Sequence, residues 1–307
     1  MGPLLTLKVH EALLAAARLP AVERTVECSL DLDRSTTSVG VGENSWSWQG
    51  TRFPFLETCK DRTVYYWTGE AFQPVARYTH SLIKLVPTEW GPPTFEIDGI
   101  KMLPTAKVSP YEDAQRKVAL IRPRGKAVLD TCGGLGYFAA WCLQGQAARV
   151  HSFEKNVDVI WLRGLNPWSP STSELASRSS GEPQTGADGS TTSIGAGPRS
   201  DTGLTLVHGD VAVEIATLPD QSFDAALHDP PRFGIAGELY SQVFYDHLAR
   251  VLRPRGVLFH YTGTPNKLTS GRDVPKEVAN RLRIAGFSTE LHGDGVLATR
   301  GGRGGRR

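Results

Sequence analysis

The stretch Ala127–Tyr137, AVLDTCGGLGY, constrains this chain more than any other. A short apolar run suited to a buried strand ends on an acid, Asp130. The chain then passes through Gly133, Gly134 and Gly136 into the helical-looking run Phe138–Gln144. A strand feeding a helix through glycines puts unpaired backbone N–H groups and the positive end of the helix at one point. The anionic or polar parts of a nucleotide-like ligand bind readily there. Spacing narrows the ligand. A dinucleotide fingerprint reads G-x-G-x-x-G and has its acid about 20 residues downstream. Here the acid precedes the glycines, as D-x-x-x-G-x-G. On this stretch alone, a tight turn with no ligand stays open as the plainer alternative.

Downstream, strand-like and helix-like segments alternate. The strands are expected at Ala127–Thr131, Arg149–Phe153, Leu204–Val207, Phe223–His228, Val257–Tyr261 and Gly295–Thr299. The helices are expected at Tyr137–Gln144, Lys155–Gly164, Val211–Thr217, Glu238–Leu252 and Val274–Ala285. That alternation is what a doubly wound α/β sheet requires. A helix over Pro110–Leu120, with the proline in its first turn, leads into it. Upstream the period changes to two. Val26, Cys28, Leu30 and Leu32 alternate with polar residues, and so do Val39 and Val41, then Trp46 and Trp48. Asp98-Gly99 between Phe95–Ile97 and Ile100–Leu103 is a short hairpin signal. A small antiparallel β domain is expected there. Its aromatics (Trp46, Trp48, Tyr65, Tyr66, Trp67, Tyr78, Trp90) read as core and sheet surface, with a substrate-lining role as the alternative.

The expected division is an N-terminal helix or extension over 1–21, the small β domain over 22–105, an α/β domain over 106–299 and a Gly/Arg tail over 300–307. Within the α/β domain, 169–202 is dominated by Ser, Thr, Gly and Pro. It cannot bury enough apolar surface to offset its ordering entropy, so a disordered insertion is expected. With 34 basic against 32 acidic residues the net charge is +2, which exerts no global pull toward nucleic acid or membrane. Nucleic acid contact is expected only through the Arg/Gly tail. The four cysteines form no CxxC pair and no cluster has zinc spacing, so no metal site is expected, and reduced thiols fit a cytoplasmic compartment. Organelle import stays open. No apolar run approaches a membrane span. The hairpin-rich N-terminal region offers a homodimer surface.

Acids recur at the strand ends. Glu154 closes the second strand, where a carboxylate can accept both ribose hydroxyls of a nucleoside. Asp210 closes the third, as a contact for the nucleoside or as the N-cap of the helix from Val211, and the two roles are compatible. The fourth strand ends in Asp229-Pro230-Pro231-Arg232-Phe233. Two prolines remove two N–H donors and fix an extended backbone, so the carbonyls and Asp229 point outward as acceptors. Such a cluster orients an attacking amine and takes up its proton.

Asp130 with its glycines resembles motif I of the Rossmann-like S-adenosylmethionine (SAM) dependent transferases, with Cys132 at the usual first glycine. DPPRF resembles the (D/N/S)-P-P-(Y/F/W) motif of SAM-dependent N-methyltransferases, with Arg232 at the aromatic place and Phe233 one step later. Together with Lys101-Met102, Asp113, FEKN, Asn166–Trp168 and FHYTG, these motifs resemble a family of predicted archaeal-type SAM-dependent methyltransferases over about residues 95–290. The resemblance implies the SAM-dependent methyltransferase fold with SAM as cofactor, held by Asp130, Gly133, Gly134, Gly136, Glu154, Asp210 and Asp229. The resemblance supplies no substrate. From their places at the ends of the fourth and fifth strands, Asp229, Pro230 and Tyr261 are expected to serve catalysis, and Arg232, Phe233 and His260 to border a small-molecule or peptide amine substrate. His260 as a satisfied buried histidine is the equal alternative. The layout also resembles spermidine synthases, aminopropyltransferases that use decarboxylated SAM. Their glycine loop carries an Asp where Leu135 stands, which favours ordinary SAM and methyl transfer here. A non-catalytic module that keeps the fold for partner binding is the remaining alternative.

Overall fold

A computed structural model describes residues 2–19, 24–171, 175–176, 203–263 and 273–302. The chain forms two compact units. One comprises Met1–Gln115 with Asp158–Pro170, and the other Arg116–Val157 with Ser171–Arg307.

The second unit is built on an eight-stranded sheet. Its strands are β1 (Ala127–Asp130), β2 (Arg149–Glu154), β3 (Leu175–Ala176), β4 (Leu204–His208), β5 (Phe223–His228), β6 (Leu252–Tyr261), β7 (Phe287–His292) and β8 (Gly295–Arg300). Their spatial order is β3-β4-β2-β1-β5-β6-β8-β7. The first five pairings are parallel and the last two antiparallel. The strand order reverses between β1 and β5, where Val128 to Asp130 pair with Ala225 to Leu227. Open α/β sheets hold ligands beyond the carboxyl ends at that crevice. The run AVLD is buried at all four positions, as a strand covered on both faces requires. Leu129, Ala226, Leu248, Leu258 and Leu282 are all 0 % exposed in the core of this unit.

The strand expectations hold in place, and four details differ. The helix expected over Glu238–Leu252 is a 3₁₀ turn, Gly237–Tyr240, followed by a helix over Gln242–Val251. Ser241 separates them, its hydroxyl accepting from the Phe244 N–H at 3.2 Å as an N-cap. β6 begins at Leu252 rather than Val257, because Pro254 cannot continue the preceding helix. The edge strand β7 was not expected. It pairs along its whole length with β8 across a turn in which Gly293 has φ +57°. Of the stretch expected to be disordered, Leu175–Ala176 forms β3 at the opposite edge, against Leu206 and Val207. Most of that stretch, and most of the Gly/Arg tail, lies outside the described residues.

A short helix over Val211–Glu214 follows β4, and its N-cap is Asp210, whose Oδ1 accepts from the Ala212 N–H at 3.0 Å. Asp210→Ala is expected to cost about 1 kcal/mol of stability, read from the shift in urea midpoint at unchanged slope.

The first unit carries three antiparallel sheets. Leu4–Leu5, inside the expected N-terminal helix, instead pairs with Tyr65 and Tyr66, and the helix runs over Leu7–Ala17. In the expected hairpin, Ile97 pairs with Ile100. Asp98 and Gly99 both have positive φ, 49° and 79°, which is the twist a two-residue hairpin needs. The aromatics divide between core and surface, as expected: Trp46 is 1 % exposed and stacks on Phe53 at 4.6 Å, Tyr65 is also buried, and Tyr78 and Trp90 are exposed. Asn166 and Trp168 also serve this unit's fold. Asn166 is buried and accepts from the Trp168 N–H at 3.2 Å, and the Trp168 indole donates to the Leu32 carbonyl at 2.9 Å.

Candidate functional site

The four strand-end acids sit as the sequence pattern requires, on adjacent parallel strands of the second unit. Asp130 ends β1 and is 0 % exposed, its Oδ2 accepting from the Ser152 hydroxyl of β2 at 2.8 Å. The turn after it is held by backbone. The Gly133 N–H donates to the Phe153 carbonyl at 2.6 Å, and the Gly136 N–H to the Gly133 carbonyl at 2.7 Å. Gly134 and Gly136 have φ of +48° and +81°, which L side chains adopt only with strain. Gly136 is the N-cap of the helix over Tyr137–Gln144.

Glu154 reaches back to this turn. Its Oε2 accepts from the Gly134 N–H at 2.8 Å and its Oε1 from the Asn156 N–H at 2.9 Å. The motif I glycines and the β2 acid are thus one hydrogen-bonded assembly. Beside them, the second oxygen of Asp210 pairs with Lys155 at 2.7 Å, which holds that ammonium above its ordinary range. Leu135 is 1 % exposed, so this position of the turn is an anchor in the core.

At the end of β5, Asp229 carries a partner that pattern reading missed. Lys117, in the helix over Pro110–Ile121, places its ammonium 3.5 Å from Asp229 Oδ2 and 3.5 Å over the centre of the Tyr261 ring, with the Phe138 ring at 5.8 Å. The Lys117 side chain is 5 % exposed against 22 % for Asp229. A signal was present. Ala114, Val118 and Ile121 form the buried stripe of that helix, and a lysine at the i+3 place within it is out of pattern. Of the other residues expected near a substrate, Arg232 and Phe233 are exposed, with Phe233 edge-on to Tyr240 at 5.5 Å. Tyr240 is buried and donates its hydroxyl to the Pro231 carbonyl at 3.2 Å, which ties down the proline pair.

Of the two places open to His260, bordering a substrate or satisfied in the interior, it takes the second: it is 0 % exposed and both ring nitrogens are engaged, Nε2 with the Tyr245 hydroxyl at 3.0 Å and Nδ1 with the Tyr261 carbonyl at 2.9 Å. Burial pushes its pKa down to about 4. His228, paired with it across β5 and β6, lies at 4.4 Å between ring centres. Its nitrogens engage Thr131 Oγ1 at 2.7 Å and the Leu239 carbonyl at 3.1 Å, and burial holds it well below the ordinary range. Both histidines are neutral struts under Asp229 and Tyr261, one residue beyond each.

Among the described residues no group of His, Cys, Asp or Glu side chains has metal-binding geometry, and no helix is long and apolar enough to cross a membrane.

No family model matches the chain. An uncharacterized protein of Methanocaldococcus jannaschii is 40 % identical over 220 residues, 71 % of this chain and 66 % of that protein, so the match spans just under two thirds of the relative. Among solved structures, a spermidine synthase in complex with the transition state analogue AdoDATO superposes with a TM-score of 0.52 at 16 % identity, over 74 % of this chain and 73 % of that one. A spermidine synthase from Thermotoga maritima gives 0.47 at 16 % identity over 74 % and 72 %. At such identity the first of these likenesses speaks of the fold alone. A parallel-dominated doubly wound sheet, a glycine turn after β1 and small antiparallel sheets ahead of it make this the Rossmann-like fold that SAM-dependent methyltransferases share with spermidine synthases.

Proposed function

We propose that the chain is a SAM-dependent methyltransferase acting on an amine nitrogen. The residues fit the donor chemically. A nucleoside carrying a sulfonium needs hydroxyl acceptors, backbone donors and nearby negative charge, and the β1 and β2 ends supply Glu154, the Gly134–Tyr137 turn and Asp130. When bound, SAM supplies an electrophilic methyl group. Glu154 would hold the ribose, Asp210 the base end, and Gly133, Gly134 and Gly136 leave room for backbone approach. The observation that carries the reading is the seat at Asp229. A carboxylate beside the face of Tyr261 already holds one alkylammonium, Lys117, through the two contacts an amine acceptor needs. Asp229 and the Pro230 carbonyl would orient the acceptor's N–H groups, Asp229 would take the proton, and Arg232 and Phe233 would border the rest of the substrate.

Calorimetry with SAM and with decarboxylated SAM tests the donor. Tighter binding of SAM is expected, and tighter binding of the decarboxylated donor would move the assignment to aminopropyl transfer. That second reading is favoured by the superposition on a spermidine synthase, including the small β unit ahead of the sheet. Binding of neither would leave the chain a partner-binding module. Glu154→Gln, which keeps the shape but loses the charge, is expected to weaken SAM about tenfold, read in the same titration.

A further inference from the structure

We propose that Lys117 is itself a methyl acceptor, so that the chain methylates its own Nζ when no other amine occupies the seat; this rests on the reading of Asp229 as the acceptor site.

Three observations on different elements converge. The Lys117 side chain is 5 % exposed, which is expensive for an ammonium unless it is paired, so its place is dictated by what it contacts. Among those contacts are the carboxylate at the end of β5 and the ring at the end of β6, on neighbouring parallel strands next to the switch point. Both are residues assigned above to handling the acceptor amine. The other lysines at this sheet are placed differently. Lys155 is paired with Asp210 at the β4 end with its side chain 69 % exposed, and Lys126 donates to the Ile121 carbonyl ahead of β1. Lys117 alone of the three meets Asp229.

The chemistry balances with one co-reactant, a sulfonium methyl donor of the SAM class. The Lys117 ammonium passes one proton to Asp229 Oδ2, which frees the nitrogen lone pair. A C–N bond forms between Nζ and the methyl carbon as the C–S bond breaks, and the electron pair of that bond stays on sulfur, which becomes a neutral thioether. The product is a monomethylated ammonium with its charge kept, and Asp229 returns its proton to solvent. A methylated Nζ still pairs with Asp229 and sits more favourably on an aromatic face, as quaternising ammonium groups do in aromatic cages.

The test uses the full purified chain. It is incubated with SAM carrying an isotopically labelled methyl group, the peptide containing Lys117 is weighed by mass spectrometry, and SAM binding is measured separately by calorimetry. Labelled methyl at Lys117, slowed about a hundredfold in Asp229→Asn and absent in Lys117→Arg, is the expected result. SAM binding with Lys117 unmodified overturns the proposal, and so does label confined to exposed lysines such as Lys155 or Lys276. Absence of SAM binding overturns the donor assignment and this proposal with it, and the calorimetric arm tells that failure from the others.

Discussion

Asparagine in place of Asp229 is expected to slow methyl transfer to an amine by about 10²–10⁴-fold, with SAM affinity changing far less than the rate. The substitution preserves volume and one oxygen acceptor but cannot take up a proton. It also removes a counter-charge from beside Lys117, whose ammonium sits 3.5 Å away with almost no solvent contact. Weakening the pairing of a buried charge is costly, so the variant should also lose stability, and adding Lys117→Met should restore it. That double variant separates the two effects, because repairing the fold does not return the proton acceptor. The measurement is single-turnover transfer of labelled methyl from SAM to a panel of a small alkylamine, a polyamine and a lysine-bearing acidic peptide. Full turnover by Asp229→Asn would remove the proton-acceptor role and leave the carbonyls after it as the orienting groups.

Stability is expected to fall between pH 7 and pH 5, above the range in which ordinary carboxylates titrate. The cause is the buried pair His228 and His260. An exposed histidine in the unfolded chain titrates near 6.5, whereas His260 is held down at about 4 by burial. A depressed histidine pKa means that the unfolded state binds the proton first. Stability is therefore fully present above about pH 6.5, is lost as pH falls, and levels off below the folded-state value. From these two values, His260 contributes a loss of about 2 kcal/mol between pH 7 and 5. His228, held well below the ordinary range by burial and by its neighbour His260, acts in the same direction. Urea midpoints across this window check the prediction. A flat profile from pH 7 to 5 would show that the pair is charged or solvated in the folded chain. Since both rings lie directly under the ends of β5 and β6, the same acidification should weaken the seat formed by Asp229 and Tyr261.

Local patterns made most of this fold legible. A buried strand that ends in an acid, a turn with glycines where φ is positive, and a helix directly after it need only near neighbours to specify them. The repeated alternation downstream does the same for the parallel sheet. The Asp98-Gly99 hairpin is local in the same sense, because two consecutive positive φ values are a property of those residues. Local patterns misled where partners are distant. Leu4–Leu5 reads as helix and becomes a strand because Tyr65 and Tyr66 offer it an edge. Leu175–Ala176, in a stretch poor in apolar residues, becomes a strand because β4 leaves one free.

The site divides along the same line. Sequence by itself determined that Asp130, Glu154, Asp210 and Asp229 lie at strand ends and that the glycines and the proline pair lie in the turns beside them, because strand ends and turns are short-range features with strict residue requirements. Tertiary structure alone decided that Glu154 hydrogen-bonds Gly134, that His260 is a buried strut, that Leu135 is an anchor of the core, and that Lys117 sits on Asp229 and Tyr261. Each of these depends on which strands lie side by side and on what is buried between residues separated by tens to more than a hundred positions, and no local spacing encodes that adjacency.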